Sequence, residues 1–140
     1  QGPPWFSEYG SEQTRPFRAL KVWMALRYFG TSGYARLIAH DIAMARELAR
    51  LVRDTPDFEL WEPQGLSIVC FRAVPPALAG DDAATDALNQ RILAAVQLGG
   101  EAFLSSTVLR GRVWLRSCIV NPGTTPADVQ AVFDAVRSYL

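Results

Sequence analysis

Arg116 stands in the middle of the run Val113-Trp114-Leu115-Arg116-Ser117-Cys118-Ile119, whose aliphatic and aromatic residues suit a strand. A guanidinium is a planar fork of donors that grips a carboxylate with two hydrogen bonds. Buried without partners it is costly. Side chains alternate along a strand, so Gly111, Val113, Leu115, Ser117 and Ile119 share one face. Arg112, Trp114, Arg116, Cys118 and Val120 share the other. The first set is small and aliphatic, fit to pack under helices. The second is too apolar for plain solvent and too charged for a sealed core. It reads as a surface covered by another domain, with an arginine available where the cover is incomplete. Two readings of Arg116 stand side by side. In one it is solvated, its stem lying over Trp114 or Trp61; in the other it holds an anion. Pattern alone does not choose between them.

The remaining chemistry-bearing residues form no second centre. His40, the single histidine, lies beside Asp41 on a helix and reads as a surface or interface residue. No His, Cys or carboxylate set has metal-ligand spacing, so no metal is expected. The serines lack a G-x-S-x-G elbow, and Gly30, Gly33, Gly99 and Gly100 read as helix-end glycines, not as a phosphate loop. Asp81, Asp82 and Asp86 read as loop and helix-start charges. Lys21, the only lysine, reads as structural and not as a Schiff-base residue. Cys70 and Cys118 sit in apolar runs without C-x-x-C spacing, which suits reduced, buried thiols and a cytoplasmic protein. Fourteen basic residues balance fourteen acidic ones, so no global field recruits nucleic acid or an anionic membrane. No apolar run approaches the roughly 18 residues that a membrane span needs. On its own chemistry the chain holds no complete active site. It suits part of an enzyme, a small-molecule-binding module or an interaction domain.

The positioning elements follow from periodicity. An apolar set (Leu20, Trp23, Met24, Leu26) predicts a helix over 16–29, ended by Gly30. Leu37, Ile38, Ile42, Ala45, Leu48, Ala49 and Val52 predict a second helix over 32–55. A hairpin follows, with a short strand in FELWEP and a longer one over 66–74. A helix over 84–98 buries Leu88, Ile92 and Val96, and two strands then meet at a tight turn around Gly111. Thr125-Pro126-Ala127-Asp128 opens the last helix with a hydroxyl at N-cap, proline at N1 and a carboxylate at N3. From residue 31 the order is αββαββα. This predicts an α+β domain, a four-stranded mostly antiparallel sheet with three helices on one face. The first helix is surplus to it, which places a boundary between 1–30 and 31–140. The opening QGPPWFSEYG has no initiator Met and no signal core, and reads as the middle of a longer protein.

Three collinear stretches carry a resemblance. SEQTRPFRALKVWMALRYFGTSGYARLI resembles the R-F-R-x-L-K-x-W-x-x-x-R-x-x-G-x-x-G segment of the group II pyridoxal-phosphate-dependent amino-acid decarboxylases. That family includes aromatic-amino-acid, tyrosine, histidine and glutamate decarboxylases. LARLVRDTPDFELWEPQGLSIVCFR and LRGRVWLRSCIVNPGTTPADV are similar to its later strand and closing strand-helix segments. The resemblance implies a fold-type-I homodimer with a large cofactor domain and a C-terminal small domain, 1–30 ending the former and 31–140 forming the latter. It implies pyridoxal 5'-phosphate, bound mainly upstream, whose ring accepts the electrons left by departing carbon dioxide. The family's cofactor lysine follows a histidine in an upstream H-K motif, absent here; Lys21 matches the L-K-x-W lysine instead. Tyr9 matches no catalytic position, so no catalytic residue is expected in this chain, which alone should be inactive. Arg116 matches the arginine of x-R-x-x-I-x-N-P, which lies near substrate in glutamate-decarboxylating relatives and pairs with its carboxylate. Arg15 and Arg18 match large-domain arginines, read as interface or near-site residues. The implied partners are the upstream large domain and an L-amino acid, with a mild preference for an aromatic one because RPFRALKVW is closer to the aromatic branch. The alternative is a stand-alone ligand-binding or assembly domain that kept the fold without catalysis.

Overall fold

The computed structural model describes residues 9–11 and 16–140. Helix α1 (Arg18–Arg53) departs from helical geometry at Gly30, where φ is 65° and ψ 175°. That backbone is open to a residue without Cβ. The sequence suggested two helices separated by a short hinge; the interruption is instead this one residue, and the helix resumes at once. The chain divides into two compact units, Gln1–Ala35 and Arg36–Leu140. In the first, the described helical residues Leu20, Val22, Trp23, Met24, Leu26 and Phe29 are all exposed.

The second unit holds the sheet. Strands β1 (Phe58–Leu60), β2 (Ile68–Ala73), β3 (Ser105–Leu109) and β4 (Arg112–Cys118) lie in the order β1-β2-β4-β3, antiparallel at every pairing. A two-residue turn joins β3 to β4 with positive φ at Arg110 (50°) and Gly111 (76°), the geometry that matches strand twist. Helix α2 (Asp82–Gly99) falls between the hairpins and α3 (Pro126–Arg137) closes the chain. Val69, Phe71, Ala73 and Leu115 share one core with Ala45, Leu48 and Val52 of α1, Ile92 and Val96 of α2, and Phe133 and Val136 of α3. All three helices therefore cover one face of the sheet. Helix α3 carries three valines, each about 0.6 kcal/mol poorer than alanine as a helix former. Burying Val129 and Val136 contributes about 1.5 kcal/mol or more apiece, so packing outweighs propensity.

Several boundaries moved for local reasons. Strand β2 begins at Ile68, not at Leu66, whose φ of 49° lies outside strand geometry. Helix α2 begins two residues early because the Asp81 side chain accepts a hydrogen bond from Ala84 N. Ile38, expected on the buried stripe, is exposed because the core takes up α1 only from Met44 and Ala45 onward. Cys118 is exposed and Cys70 half-buried, against the expectation of two buried thiols; both are free.

The last helix has the expected capping box. Thr125 Oγ1 accepts from Asp128 N at 3.3 Å, while Asp128 Oδ2 accepts from Thr125 N at 2.8 Å and from Oγ1 at 2.7 Å. The Thr125 hydroxyl and then its backbone N–H hold the Asp128 carboxyl below the ordinary aspartate range. A depressed carboxylate stabilises the fold above its unfolded pKa and loses that contribution as pH falls through the folded one. Acid titration should therefore weaken α3 below about pH 4, and Thr125→Ala should cost about 1 kcal/mol at pH 7. Urea unfolding at pH 7 and pH 3 checks both: the Thr125→Ala penalty should shrink at the lower pH.

Candidate functional site

The face of the sheet turned away from the helices carries the charge. Register sets it out in rows: Glu59 opposite Arg72, Cys70 opposite Arg116, Ser105 opposite Arg116, and Thr107 opposite Trp114. Arg116 is thus flanked on its two neighbouring strands by a thiol and a hydroxyl. Beyond it on β4, Cys118 lies opposite Ile68.

Four arginines belong to this face and its turn, and their partners separate them. Arg72 is 3% exposed although its position alone would put it in solvent. Its Nε donates to Glu59 Oε2 at 2.8 Å, Nη2 donates to Asp82 Oδ1 at 3.2 Å, and Nη1 lies 3.7 Å from Asp86 Oδ1. Burial works to lower its pKa, yet the hydrogen bonds it donates to Glu59 and Asp82 raise it on balance. Arg112 Nη2 pairs with Asp82 Oδ2 at 2.9 Å. Arg110 lies over the Trp61 ring at 5.1 Å, and Arg72 over Trp114 at 5.3 Å. The two indoles meet edge to face, 5.3 Å apart. Arg110 and Arg116 have no carboxylate partner among the described residues, and of these two Arg116 is the one on the strand, where its Nε donates to Ser105 Oγ at 3.1 Å. The stem-over-tryptophan reading of Arg116 is replaced: Arg72 and Arg110 occupy those rings.

The neighbouring thiol leaves the charge of Arg116 uncompensated. Burial pushes Cys70 up, the Arg116 guanidinium pulls it the other way, and the net direction is upward. Cys70 therefore stays a neutral thiol near pH 7. Among the described residues Arg116 therefore has an engaged Nε, free Nη groups and no counter-charge, and a guanidinium in that state has the donors to bind a carboxylate.

The arginine-tryptophan end of the same face encloses a cleft of about 520 Å³ between β1 and the β3–β4 turn, with Trp61, Trp114, Arg110 and Glu62 on its walls. Sequence reading placed Trp114 and Trp61 near this face but missed the Arg72 network, whose acids come from β1 and α2. Asp81 caps α2 and Asp82 lies in its first turn, as expected of helix-start charges, and Asp82 and Asp86 are in addition the counter-ions for Arg72 and Arg112.

Of the other candidates, Arg18 opens α1 in the first unit and is exposed, and Arg15 lies outside the described residues. Lys21 is exposed on α1. His40 Nε2 donates to the Thr124 carbonyl at 2.7 Å, tying α1 to the loop that follows β4. Among the described residues no three His, Cys, Asp or Glu side chains form a metal-ligand set, and no helix is long and apolar enough to cross a membrane.

Comparison with known proteins places this geometry in context. Residues 6–74 match the pyridoxal-dependent decarboxylase conserved domain. The chain is 33% identical over 133 residues to an aromatic-L-amino-acid decarboxylase of Bacillus atrophaeus, covering 95% of this chain and 28% of that protein. It is 35% identical over 129 residues to a phenylacetaldehyde synthase of Arabidopsis thaliana, covering 90% and 26%. Among solved structures, Catharanthus roseus tryptophan decarboxylase in complex with L-tryptophan superimposes with a TM-score of 0.79 at 28% identity, over 95% of this chain and 28% of that one. The chain thus spans little more than a quarter of the length of these relatives.

Proposed function

Because the chain belongs to the pyridoxal-dependent decarboxylase family, we propose that it is the C-terminal portion of an enzyme that removes the α-carboxylate of an aromatic L-amino acid. The products are carbon dioxide and the corresponding amine, with one proton taken up at the α-carbon. In this reading residues 1–30 end the large domain, 31–140 form the small domain, and the whole enzyme is a homodimer. Arg15 and Arg18 then stand near the boundary with the cofactor domain.

Pyridoxal phosphate is the family's cofactor. Lys21 is the single lysine, exposed on α1, and it matches the family's L-K-x-W lysine and not the H-K one. This supports a cofactor held elsewhere in the longer protein, with this chain inactive alone. The chain's own contribution is orientation. Arg116 holds a carboxylate and fixes the substrate, and a fixed reactant has part of its entropic cost met before the reaction begins.

The observation that carries the reading is the uncompensated Arg116 on the open face of a chain from this family. Arg116→Gln in the complete enzyme should weaken substrate binding by about 1.5–3 kcal/mol, the worth of charged hydrogen bonds, or roughly 10- to 150-fold in KM. Steady-state kinetics with L-tryptophan, L-tyrosine and L-phenylalanine, following carbon dioxide and amine together, tests it. An unchanged kcat/KM returns Arg116 to the solvated class. An aldehyde in place of the amine would point to the activity for which the phenylacetaldehyde synthase relative is named. No turnover by the complete, cofactor-loaded protein would leave the stand-alone binding domain.

A further inference from the structure

We infer that Ser105 is the positioning residue that sets which edge of the Arg116 guanidinium meets its carboxylate, an inference that rests on the reading of Arg116 as a carboxylate receptor. The two residues are direct cross-strand partners, so their side chains leave the sheet on the same face. Ser105 Oγ donates its single proton to the Arg116 carbonyl at 3.3 Å and accepts from Arg116 Nε at 3.1 Å. One hydroxyl thus ties the Arg116 side chain to the Arg116 backbone. The donated bond orients the serine oxygen, and its lone pair then holds Nε.

A guanidinium offers two bidentate edges, the side edge of Nε with one Nη and the end edge of both Nη groups. With Nε engaged by Ser105, the end edge is what remains. Arg72 on the next strand shows the alternative: its Nε meets the carboxylate of Glu59, and its charge is spent inside the chain. Ser105 gives Arg116 the same anchorage from a neutral oxygen, so the side chain is fixed while its charge stays available. Cys70, opposite on the other flank, leaves that charge unopposed because burial keeps it a thiol.

Three variants separate anchorage from general structure. Ser105→Thr keeps the hydroxyl in a residue suited to strands, Ser105→Ala removes it, and Ser105→Asp puts an internal counter-charge where Glu59 stands for Arg72. In the 15N-labelled chain, the Arg116 Nε–H should exchange slowly with solvent. It should lose that protection in Ser105→Ala and keep it in Ser105→Thr, with backbone amide spectra unchanged. In the complete enzyme, using whichever of the three aromatic amino acids is turned over, Ser105→Ala should raise KM about 2- to 10-fold, the cost of ordering a freed side chain. Ser105→Thr should restore it, and Ser105→Asp should match Arg116→Gln. The inference is overturned if Ser105→Ala leaves KM and Nε exchange unchanged, or if threonine fails as alanine does. If Arg116→Gln itself leaves KM unchanged, the carboxylate-receptor reading falls first; if only the Ser105 variants are silent, that reading stands without its positioning residue.

Discussion

Asn89→Ala is expected to lose about 4 kcal/mol of stability and to bring the folded second unit close to its limit. Asn89 is fully buried, and its amide spans the gap where β2 and β4 part. Their pairing runs from Ile68 opposite Cys118 to Phe71 opposite Leu115. Two residues further, Ala73 and Val113 would face each other, but side chains of α2 take their backbone groups instead. Asn89 Oδ1 accepts from Ala73 N at 2.8 Å, and its Nδ2 donates to Ala73 O and to Thr85 O, each at 2.9 Å. Asp86 Oδ1 accepts from Val113 N at 2.9 Å. Removing the amide strands both Ala73 groups in the core, and each stranded group costs about 1–3 kcal/mol. A domain of this size has about 5–15 kcal/mol in total. Urea unfolding should show the midpoint falling sharply with m unchanged. Asn89→Asp should be worse still, since it keeps one acceptor, loses both donors and buries a charge. A loss under 1 kcal/mol for Asn89→Ala would mean that water or a shifted backbone replaces the amide.

Arg72→Ala is expected to cost about 2–3 kcal/mol. Removing one partner of a buried ion pair costs about 3–5 kcal/mol when the other is left buried. Here Glu59 and Asp82 are about half exposed and can return to water, so the cost falls below that range. What is lost is the packing of the guanidinium over Trp114 and the tie between β1, β2 and the start of α2. Arg72→Met keeps the stem over the indole and should cost about 1 kcal/mol, whereas Glu59→Gln removes a single half-exposed partner and should cost under about 1 kcal/mol. Thermal unfolding of the three variants gives the order Ala, Met, Gln from most to least damaging. Equal losses for Ala and Met would make the charge, and not the stem, the stabilising part.

Much of this architecture was legible from residue order. Period-two alternation separated the core face from the Arg116 face of β4 and assigned Leu115 and Ile119 to the interior. Capping chemistry located the start of α3 to the residue, because Thr125 and Asp128 satisfy orphan helix donors by themselves. Boundaries at β2 and α2 were displaced by a positive φ and by one aspartate cap, short-range features that apolar periodicity does not register.

Sequence by itself determined the αββαββα order, the family resemblance and the face on which Arg116 stands, because periodicity, caps and motifs are written within a few residues of one another. Tertiary structure decided which arginine was free. Arg72, Arg112 and Arg116 look alike in a strand pattern, but Asp82 and Asp86 sit on α2 and Glu59 on another strand, brought together only by the packing of α2 over the sheet. Counter-charges close through space and not along the chain. The arginine left without one, held at Nε by a serine eleven positions away, became identifiable only once the strands were side by side.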